Sequence, residues 1–314
     1  MKTIFLSRYQ ETSKRGAEVF VRELTSHLQN SMQLEVLSGK DADNLTKVLS
    51  LNPDVVIPIN GRLQSLKVSL GRLIKPYKMV ISGHSGMGRD DWWNILVRPD
   101  VFIALTETMR KWASLRSLGV RIEKISNGVD LDKFNPKGSK LDLKLARPVI
   151  LAVGALTKNK HHERAIRAVA KLDQGSLLIV GEGEEEQSLR ELGQSLLGDR
   201  FSIKSFDYSN MAELYRAADL FTLLSWDRES FGIVYLEAMA SGLPVVAPLD
   251  GARKEIIGDA GILIDAENEQ IIAEAMKLAL QRNWENKPRQ QAERFSWNII
   301  AKRYKELLLQ IGEK

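Results

Sequence analysis

The sequence predicts an α/β protein made of two doubly wound domains, each a parallel β-sheet with helices packed against it. Short apolar segments alternate with segments of helical periodicity along the whole chain, and this alternation is typical of parallel sheets. The alternation stops in a polar stretch at 131–148, which contains two prolines and a glycine, and then restarts. The length of 314 residues is sufficient for two domains of ordinary size.

Six strands are predicted in the first half of the chain. The strands are Lys2–Leu6, Leu34–Leu37, Asp54–Ile59, Lys78–Ser82, Val101–Leu105 and Arg121–Ile125, and the helices between them are Gly16–Leu28, Asn44–Leu49, Leu63–Ile74 and Glu107–Leu118. Parallel sheets bind ligands at the carboxyl ends of their strands. The loop before Gly16 and the glycine-rich loop that carries His84 are therefore candidate site loops. Asn127, just before the polar stretch, would border the site.

The helix predicted at Leu63–Ile74 has two interpretations. Its leucines recur on one face, with basic residues in and around that face. We expect this face to pack in the core of the domain, and docking on a membrane surface is the alternative.

The second half repeats the alternation. Its predicted strands are Val149–Val153, Ser176–Val180, Ser202–Phe206, Leu220–Leu224, Val245–Ala247 and Gly261–Ile264, and its helices include Met211–Ala217 and Trp297–Ile311. Lys158 and Lys160 follow the first of these strands, where cations could meet a diphosphate. Phe206 and Asp207 form a turn after the third strand, where an aromatic ring could stack on a base. Core packing of Phe206 is the alternative.

The most informative stretch is Glu229–Glu237, which follows the predicted strand Leu220–Leu224 and opens a short helix. Ser230 is the expected cap of that helix, and Gly232 allows a ligand to approach the backbone closely. Free amides at a helix N-terminus favour an anion, most often a phosphate. Because Glu229 and Glu237 bracket this position, the stretch suits a ligand with a phosphate in the middle and hydroxyl groups at either end, such as a nucleotide sugar.

Composition excludes several classes of protein. The chain is 44% hydrophobic and 27% charged, which is typical of a soluble globular protein. No apolar run approaches the roughly 20 residues that span a bilayer, and the first residues become polar too soon for a signal peptide. The absence of cysteine excludes disulfides and thiolate metal sites. We therefore expect a cytoplasmic protein.

Charge is unevenly distributed along the chain. Residues 1–137 contain 21 Lys and Arg against 14 Asp and Glu, a balance of +7, whereas the remainder contains 24 against 26, a balance of −2. A basic N-terminal half favours an anionic partner, such as a phospholipid surface, a pyrophosphate-linked lipid or an acidic saccharide. A solvated basic surface is the alternative. The basic residues are scattered and lack a nucleic-acid-binding motif, so we expect no nucleic-acid partner.

The stretch Glu229–Glu237 resembles the Glu-x7-Glu motif of the retaining glycosyltransferases of family 4, in which Phe-Gly closely follows the first Glu. The next ten residues, Ala-Met-Ala-Ser-Gly-Leu-Pro-Val-Val-Ala, continue the similarity. Further similar segments are Arg15–Glu18, Asn127–Asp130, Val153–Lys160 and Arg294–Trp297. The resemblance implies the GT-B fold, with two Rossmann-like domains facing a central cleft. These would be an acceptor-binding domain at 1–138, a donor-binding domain at 139–295 and a C-terminal helix at 296–314 that packs back on the first domain.

The resemblance also implies roles for individual residues. Glu229, His84 and Lys160 would be catalytic: Glu229 would hold hydroxyls of the donor sugar, His84 would contact the sugar near the reacting centre, and Lys160 would neutralise the diphosphate. Glu237 would hold ribose hydroxyls. Other residues are expected to bind the donor, some because the resemblance implies it and others because of their positions in the chain. They are Gly16, Asn127, Lys158, Phe206, Asp207, Ser230, Phe231, Gly232 and Ile233.

The implied activity is transfer of a sugar from a nucleoside diphosphate sugar to a hydroxyl acceptor, with retention at the anomeric carbon. The acceptor would be a saccharide, a lipid-linked saccharide or a small molecule, and peripheral contact with the inner face of an anionic membrane is a further expectation. Neither a cofactor nor a metal is expected, because lysines and a helix N-terminus supply the positive charge. A double displacement through a carboxylate and a front-face attack both give retention, and the resemblance implies the second.

One departure from the family pattern keeps other functions open. Ala155 stands where many members have an Arg that shares the phosphate charge, and Lys158 is placed to compensate. The alternatives are another GT-B enzyme, such as a nucleotide-sugar epimerase or a phosphorylase, and a non-catalytic protein that binds sugar nucleotides.

Overall fold

The computed structural model describes residues 1–12, 16–226 and 229–312. The strands are β1 (Lys2–Leu6), β2 (Gln33–Leu37), β3 (Val55–Pro58), β4 (Lys78–Ser82), β5 (Val101–Ala104), β6 (Arg121–Lys124), β7 (Val149–Val153), β8 (Ser176–Val180), β9 (Phe201–Lys204), β10 (Leu220–Thr222), β11 (Val245–Pro248) and β12 (Gly261–Ile264). The helices are α1 (Gly16–Leu28), α2 (Leu45–Ser50), α3 (Arg62–Gly71), α4 (Arg89–Leu96), α5 (Glu107–Ser114), α6 (His162–Ala170), α7 (Glu186–Leu197), α8 (Met211–Ala217), α9 (Ile233–Ala240), α10 (Gly251–Ile257), α11 (Glu269–Gln281), α12 (Lys287–Glu293) and α13 (Trp297–Gly312).

The described strands form two six-stranded sheets in which neighbouring strands run parallel. The first sheet has the order β2-β1-β3-β4-β5-β6, and the second has the order β12-β11-β10-β7-β8-β9. Numbered within its own half and read from the other edge, the second sheet has the order 3-2-1-4-5-6, which is that of dinucleotide-binding Rossmann folds. The two predicted doubly wound sheets are therefore confirmed.

The chain divides into two compact units. The first comprises the described residues of Met1–Gly128, Arg228–Phe231 and Phe295–Lys314, and the second comprises those of Val129–Asp227 and Gly232–Arg294. The predicted first boundary, at residue 138, lies inside the second unit. Arg289 of α12 accounts for this position, because its guanidinium donates to the carbonyls of Leu131 (3.1 Å) and Phe134 (2.6 Å) and so holds that segment to the second unit.

The first unit is built around the strands β1, β3, β4 and β5, which are buried along nearly all of their length, as expected for strands covered on both faces. The C-terminal helix α13 packs in this core against α1, as predicted. The Phe20 ring lies 5.6 Å from that of Tyr304 and 6.0 Å from that of Trp297. The Tyr304 hydroxyl also lies 3.2 Å from Ser82 Oγ at the end of β4.

The interpretation of α3 as a helix with a leucine face in the core is wrong. Leu63, Leu70 and Leu73 are all more than half exposed. The buried face of the helix instead carries Gln64, Ser65, Val68 and Gly71. Gln64 is buried because its Oε1 accepts from the backbone amides of residues 59 and 60, at 3.0 and 2.9 Å, which caps the end of β3.

Candidate active site

Segments of the second unit that are predicted to bind the donor lie where its strand order reverses, between β7 and β10. In doubly wound sheets, ligands bind in the crevice at the carboxyl ends of the strands at this position. The turn Lys158–Lys160 follows β7, and Trp226 belongs to the loop that follows β10. The Trp226 amide donates to the carbonyl of Asn159 at 3.0 Å. One hydrogen bond therefore ties the end of the β10 segment to the predicted phosphate-binding turn.

The turn after β8 packs against the turn after β7 and fixes its position. A Cβ on Gly181, whose φ is +159°, would lie 1.9 Å from the carbonyl oxygen of Gly154, so only glycine fits. The amide of Leu156 donates to the carbonyl of Glu182 at 2.9 Å. The turn Gly181–Gly183 therefore supports the loop that carries Ala155, Lys158 and Lys160.

His162 fixes the same loop from α6. Its imidazole is buried, and Nε2 lies 3.3 Å from the carbonyl oxygen of Ala155. A carbonyl oxygen can only accept, so Nε2 carries the proton of a neutral ring. Burial lowers the pKa of His162 to about 4, which keeps the ring neutral at physiological pH. Ala155 itself is exposed, as is Lys158, whereas Lys160 is half-buried.

Glu237 is a buried carboxylate whose orientation is set by two tyrosines. It is 4% exposed, and it accepts from Tyr208 at 3.2 Å and from Tyr215 at 2.9 Å. Burial, followed by the charge of Glu237, raises the pKa of Tyr215 well above its ordinary value, so this phenol stays a hydrogen-bond donor. Tyr208 follows Phe206 and Asp207 directly, and its contact brings their turn to the carboxylate. Phe206 is only half-buried, which does not support the alternative that it packs in the core.

The helix that carries Glu237 begins without a side-chain cap. Its N-cap is Gly232, in the left-handed conformation with φ 81°, and this glycine has no side chain that could bond to the first amides. The prediction that Ser230 caps this helix is wrong, because the helix starts at Ile233, beyond the reach that a cap at Ser230 would require. Free amides at this N-terminus remain suited to an anion.

The residues just before this helix are grouped with the first unit. Phe231 is buried there, with its ring 6.1 Å from that of Phe295. Glu229 and Ser230 are half-buried. Two neighbouring residues, 227 and 228, lie outside the described part of the chain.

The first unit has its own polar cluster at the carboxyl ends of β1, β3 and β4. The amide of Arg8 donates to Asn60 Oδ1 at 2.6 Å, and Asn60 Nδ2 lies 3.4 Å from Glu18 Oε1. The His84 ring lies 4.4 Å from that of Phe20 on α1. Sequence reasoning missed Asn60, because an asparagine after a strand resembles any turn residue.

Six buried polar atoms in the first unit have no hydrogen-bond partner among the described residues, and three of the six belong to segments predicted to line the site. These three are Glu18 Oε2, His84 Nε2 and Asn127 Oδ1. Buried polar atoms are normally paired, so these are positions where a bound molecule would complete the bonding. His84 and Asn127 are predicted site residues. A further predicted site residue, Gly16, is exposed and starts α1 as predicted. Arg15 of the same predicted loop lies outside the described residues.

The loop that carries His84 is held by a buried carboxyl group that sequence reasoning also missed. Asp91 on α4 accepts from Asn94 Nδ2 at 3.2 Å and from the backbone amide of Ser85. Burial raises the pKa of Asp91 to about 7, and burial lowers the pKa of His84 to about 4. Both groups are thus largely uncharged in weakly acidic solution.

No group of three potential metal ligands among His, Asp and Glu occurs within the described ranges, and metal independence stays a prediction. Among the same residues, no helix is both long and apolar enough to cross a membrane.

Two parallel sheets with helices packed against them place this protein in the doubly wound α/β class. Residues 135–296 match the family described as "Glycosyl transferases group 1", and the chain belongs to this family. The predicted family relationship is therefore confirmed.

Similar proteins support the same relationship. The phosphatidyl-myo-inositol mannosyltransferase of Mycobacterium leprae is 31% identical over 212 residues, which cover 63% of this chain and 56% of that protein. The chain spans about half the length of the curated relatives it matches.

Solved structures match the fold over nearly the whole chain. A sucrose-phosphate synthase from Thermosynechococcus elongatus has a TM-score of 0.86 at 19% identity, covering 99% of this chain and 98% of that chain. The Anabaena protein HepE, solved in complex with UDP-glucose, has a TM-score of 0.80 at 20% identity, covering 99% of this chain and 100% of that chain. These likenesses confirm the GT-B fold class.

Proposed function

We propose that this protein is a retaining glycosyltransferase that moves a sugar from a nucleoside diphosphate sugar to a hydroxyl acceptor. The observation that carries the proposal is the convergence of Lys158–Lys160, the uncapped N-terminus of α9 and Glu237 at the reversal point of one sheet. Cations and free amides suit a diphosphate, and a buried, oriented carboxylate suits hydroxyl groups. UDP-glucose in the HepE structure agrees with this ligand class.

The chemistry needs stabilisation of charge on the leaving group. When the bond from the anomeric carbon to the diphosphate oxygen breaks, its electron pair goes to that oxygen. Lys160, with Lys158 beside it, and the amides at Ile233 would stabilise the developing charge. In a front-face attack the leaving diphosphate takes the proton of the acceptor hydroxyl. His84 and Glu229 would then position the donor sugar.

Glu237 would accept hydrogen bonds from the ribose hydroxyls, and this role can be tested separately from phosphate binding. Glu237→Gln should weaken binding of nucleoside diphosphates by about 10- to 100-fold, because a hydrogen bond to a charged group contributes about 1.5–3 kcal/mol. Binding of inorganic pyrophosphate should not change. Lys160→Met should weaken binding of both. Calorimetric titration measures all of these, with Glu274→Gln, an exposed carboxylate on α11, as the control.

Two results would contradict the proposal. One is a wild-type protein that binds no member of a panel of nucleoside diphosphates. The other is a Glu237→Gln variant with unchanged affinity for the nucleoside diphosphate that the wild type binds. Donor hydrolysis followed by NMR tests retention, because a retaining enzyme first releases the sugar anomer of the donor configuration. An epimerase would release no nucleoside diphosphate, a phosphorylase would need phosphate, and a non-catalytic protein would bind the donor without turnover.

We further propose that the first unit contacts an anionic lipid surface through α3 and the turn after it. The α3 surface consists of Leu63, Leu70, Leu73 and Ile74, each more than half exposed, together with Lys67, Arg72 and Lys75. Between Val55 and Arg89 the chain has six basic residues and no acidic residue. Exposed apolar side chains among lysines and arginines are typical of interfacial helices.

The charges of this surface favour a lipid over a neutral protein partner. Within the described ranges, Lys67 and Lys75 have no carboxylate in ion-pair distance, and their Nζ atoms reach only backbone carbonyls, of Asp43 (3.4 Å) and Leu49 (3.2 Å). The name of the M. leprae relative refers to phosphatidyl-myo-inositol, which favours a lipid acceptor brought to the first unit in this way.

Vesicle sedimentation tests the α3 surface. The protein should bind vesicles of phosphatidylcholine with phosphatidylglycerol and not vesicles of phosphatidylcholine alone. Leu73→Ser should weaken that binding by about 10-fold or more. Leu115→Ser is a matched control, since Leu73 and Leu115 are both 85% exposed. Binding that ignores lipid charge, or a dimer in ultracentrifugation that Leu73→Ser dissociates, would overturn the lipid assignment.

A further inference from the structure

Arg253 on α10 is a buried cation whose guanidinium donates several hydrogen bonds to neighbouring segments. Its side chain is 2% exposed. Nη2 donates to the carbonyl oxygen and the hydroxyl of Ser225, at 2.8 and 2.6 Å, and to the carbonyl of Trp226, at 2.9 Å. Nε donates to the Tyr235 hydroxyl at 3.1 Å, and Nη1 pairs with Asp250. The guanidinium therefore links α10 both to the loop after β10 and to α9.

The network continues from each of these partners toward the donor-binding segments. The Tyr235 hydroxyl donates to the carbonyl of Leu223 at 2.6 Å, which closes a ring between α9 and the end of β10. On the other side, the Trp226 amide donates to the Asn159 carbonyl at 3.0 Å. Asn159 is the central residue of the turn Lys158–Lys160. The Arg253 side chain is thus connected through Trp226 to the turn with the proposed phosphate-binding lysines. Through Tyr235 it is connected to the helix that carries Glu237.

A buried charge at this position is costly unless its geometry is needed. Removing a cation from water costs several kcal/mol, and apolar residues of similar volume would often serve stability as well. The carbonyls of Ser225 and Trp226 lie beyond the end of β10 at Thr222, so the sheet does not pair them. A planar guanidinium can bind several such acceptors in fixed directions, whereas the point charge of a lysine cannot.

We propose that Arg253 is a positioning residue of the donor site. It touches no substrate. It fixes the path of the chain from β10 to α9 and, through Trp226, the turn Lys158–Lys160, so that the diphosphate-binding groups and Glu237 keep one geometry. The inference rests on the proposed function for its catalytic consequence, and on the hydrogen-bond network alone for its structural consequence.

Arg253→Lys is the diagnostic variant because it keeps the positive charge and removes the planar guanidinium with its several N–H donors. Hydrogen exchange of the Trp226 amide should become at least 10-fold faster, since its segment loses the donors that hold it. Affinity for inorganic pyrophosphate should fall about 10-fold, and the turnover of donor hydrolysis at saturating donor should fall 10- to 100-fold. Tyr235→Phe should give part of the same loss, and the double variant should lose less than the sum, as expected for residues in one network.

Arg289→Lys is the matched control. Arg289 is also largely buried and donates to three backbone carbonyls, of Phe134, Ala240 and Leu131. Its replacement should lower the melting temperature by a similar amount and leave pyrophosphate affinity and turnover unchanged. This comparison separates positioning from a general loss of stability.

The outcomes distinguish this inference from the proposed function. A folded Arg253→Lys protein in which the Trp226 amide exchanges at the wild-type rate overturns the inference. If the wild type binds pyrophosphate and hydrolyses the donor, an Arg253→Lys protein with unchanged affinity and turnover also overturns it. If the wild type binds neither pyrophosphate nor any nucleoside diphosphate, the proposed function fails. The exchange rate of Trp226 then still decides whether Arg253 holds the loop.

Discussion

His162 should make the protein sensitive to mild acid. Burial lowers the pKa of the folded-state imidazole to about 4, whereas the unfolded chain has a pKa of about 6.5. Between these two values the unfolded chain binds one more proton at this residue than the folded chain does. The free energy of unfolding therefore falls as the pH is lowered through this window. From about pH 7 to about pH 4.5, the two pKa values correspond to a loss of about 2 kcal/mol.

His162→Gln isolates this contribution. A glutamine amide can still donate to the Ala155 carbonyl, which the imidazole now contacts at 3.3 Å, but it does not titrate. The free energy of unfolding is measured by urea titration near pH 7 and near pH 4.5. Between these two pH values it should fall by about 2 kcal/mol more in the wild type than in the variant. His27→Gln, at an exposed position, should leave the wild-type difference unchanged. Equal losses in wild type and His162→Gln would refute the reasoning, because they would mean that folding does not lower the pKa of this imidazole.

Two further substitutions test the first unit. Asp91→Asn should stabilise the protein above pH 7 by up to about 4 kcal/mol, and the gain should vanish near pH 4. The raised pKa of about 7 means that ionisation of Asp91 costs stability as pH rises; a gain in thermal melts that does not depend on pH would contradict this. Gly128→Ala should destabilise by about 1–3 kcal/mol, because its Cβ would lie 2.5 Å from the Trp297 indole. Gly88→Ala, with open space around its Cβ, should be nearly neutral, and equal effects would argue against the docking of α13.

Elements with simple hydrophobic patterns could be predicted from the sequence. The strands β1, β7 and β8 are mostly apolar and are buried along nearly all of their length, and their predicted bounds agree with those in the structure. Helix α1 also begins and ends where its periodicity predicts. Burial of apolar area dominates the energetics of such elements, so the pattern of apolar residues is sufficient to locate them.

The error at α3 and the omission of Arg253 share a physical cause, which is burial of polar side chains that pair backbone groups at strand ends. Gln64 caps the end of β3, so α3 turns its polar face inward and its leucines outward. Arg253 does the same beyond β10. In the sequence each resembles an exposed residue of an amphipathic helix, because periodicity records apolarity and not the backbone carbonyls or amides that a side chain will meet after folding.

The loop at Ala155 departs from the family pattern, and its geometry is held by other groups. The family pattern implied by the resemblance has an arginine here, whereas this chain exposes an alanine whose carbonyl is held by the neutral ring of His162. The loop is also fixed by Gly181 below it and by the Trp226 amide beside it. The geometry of the turn therefore does not rely on an arginine at this position. What the arginine would add is charge, and that falls to Lys158 and Lys160 together with the amides of α9. If so, restoring it with Ala155→Arg should tighten pyrophosphate binding without raising turnover by the same factor, since added charge stabilises the bound diphosphate before and after the bond to the sugar breaks.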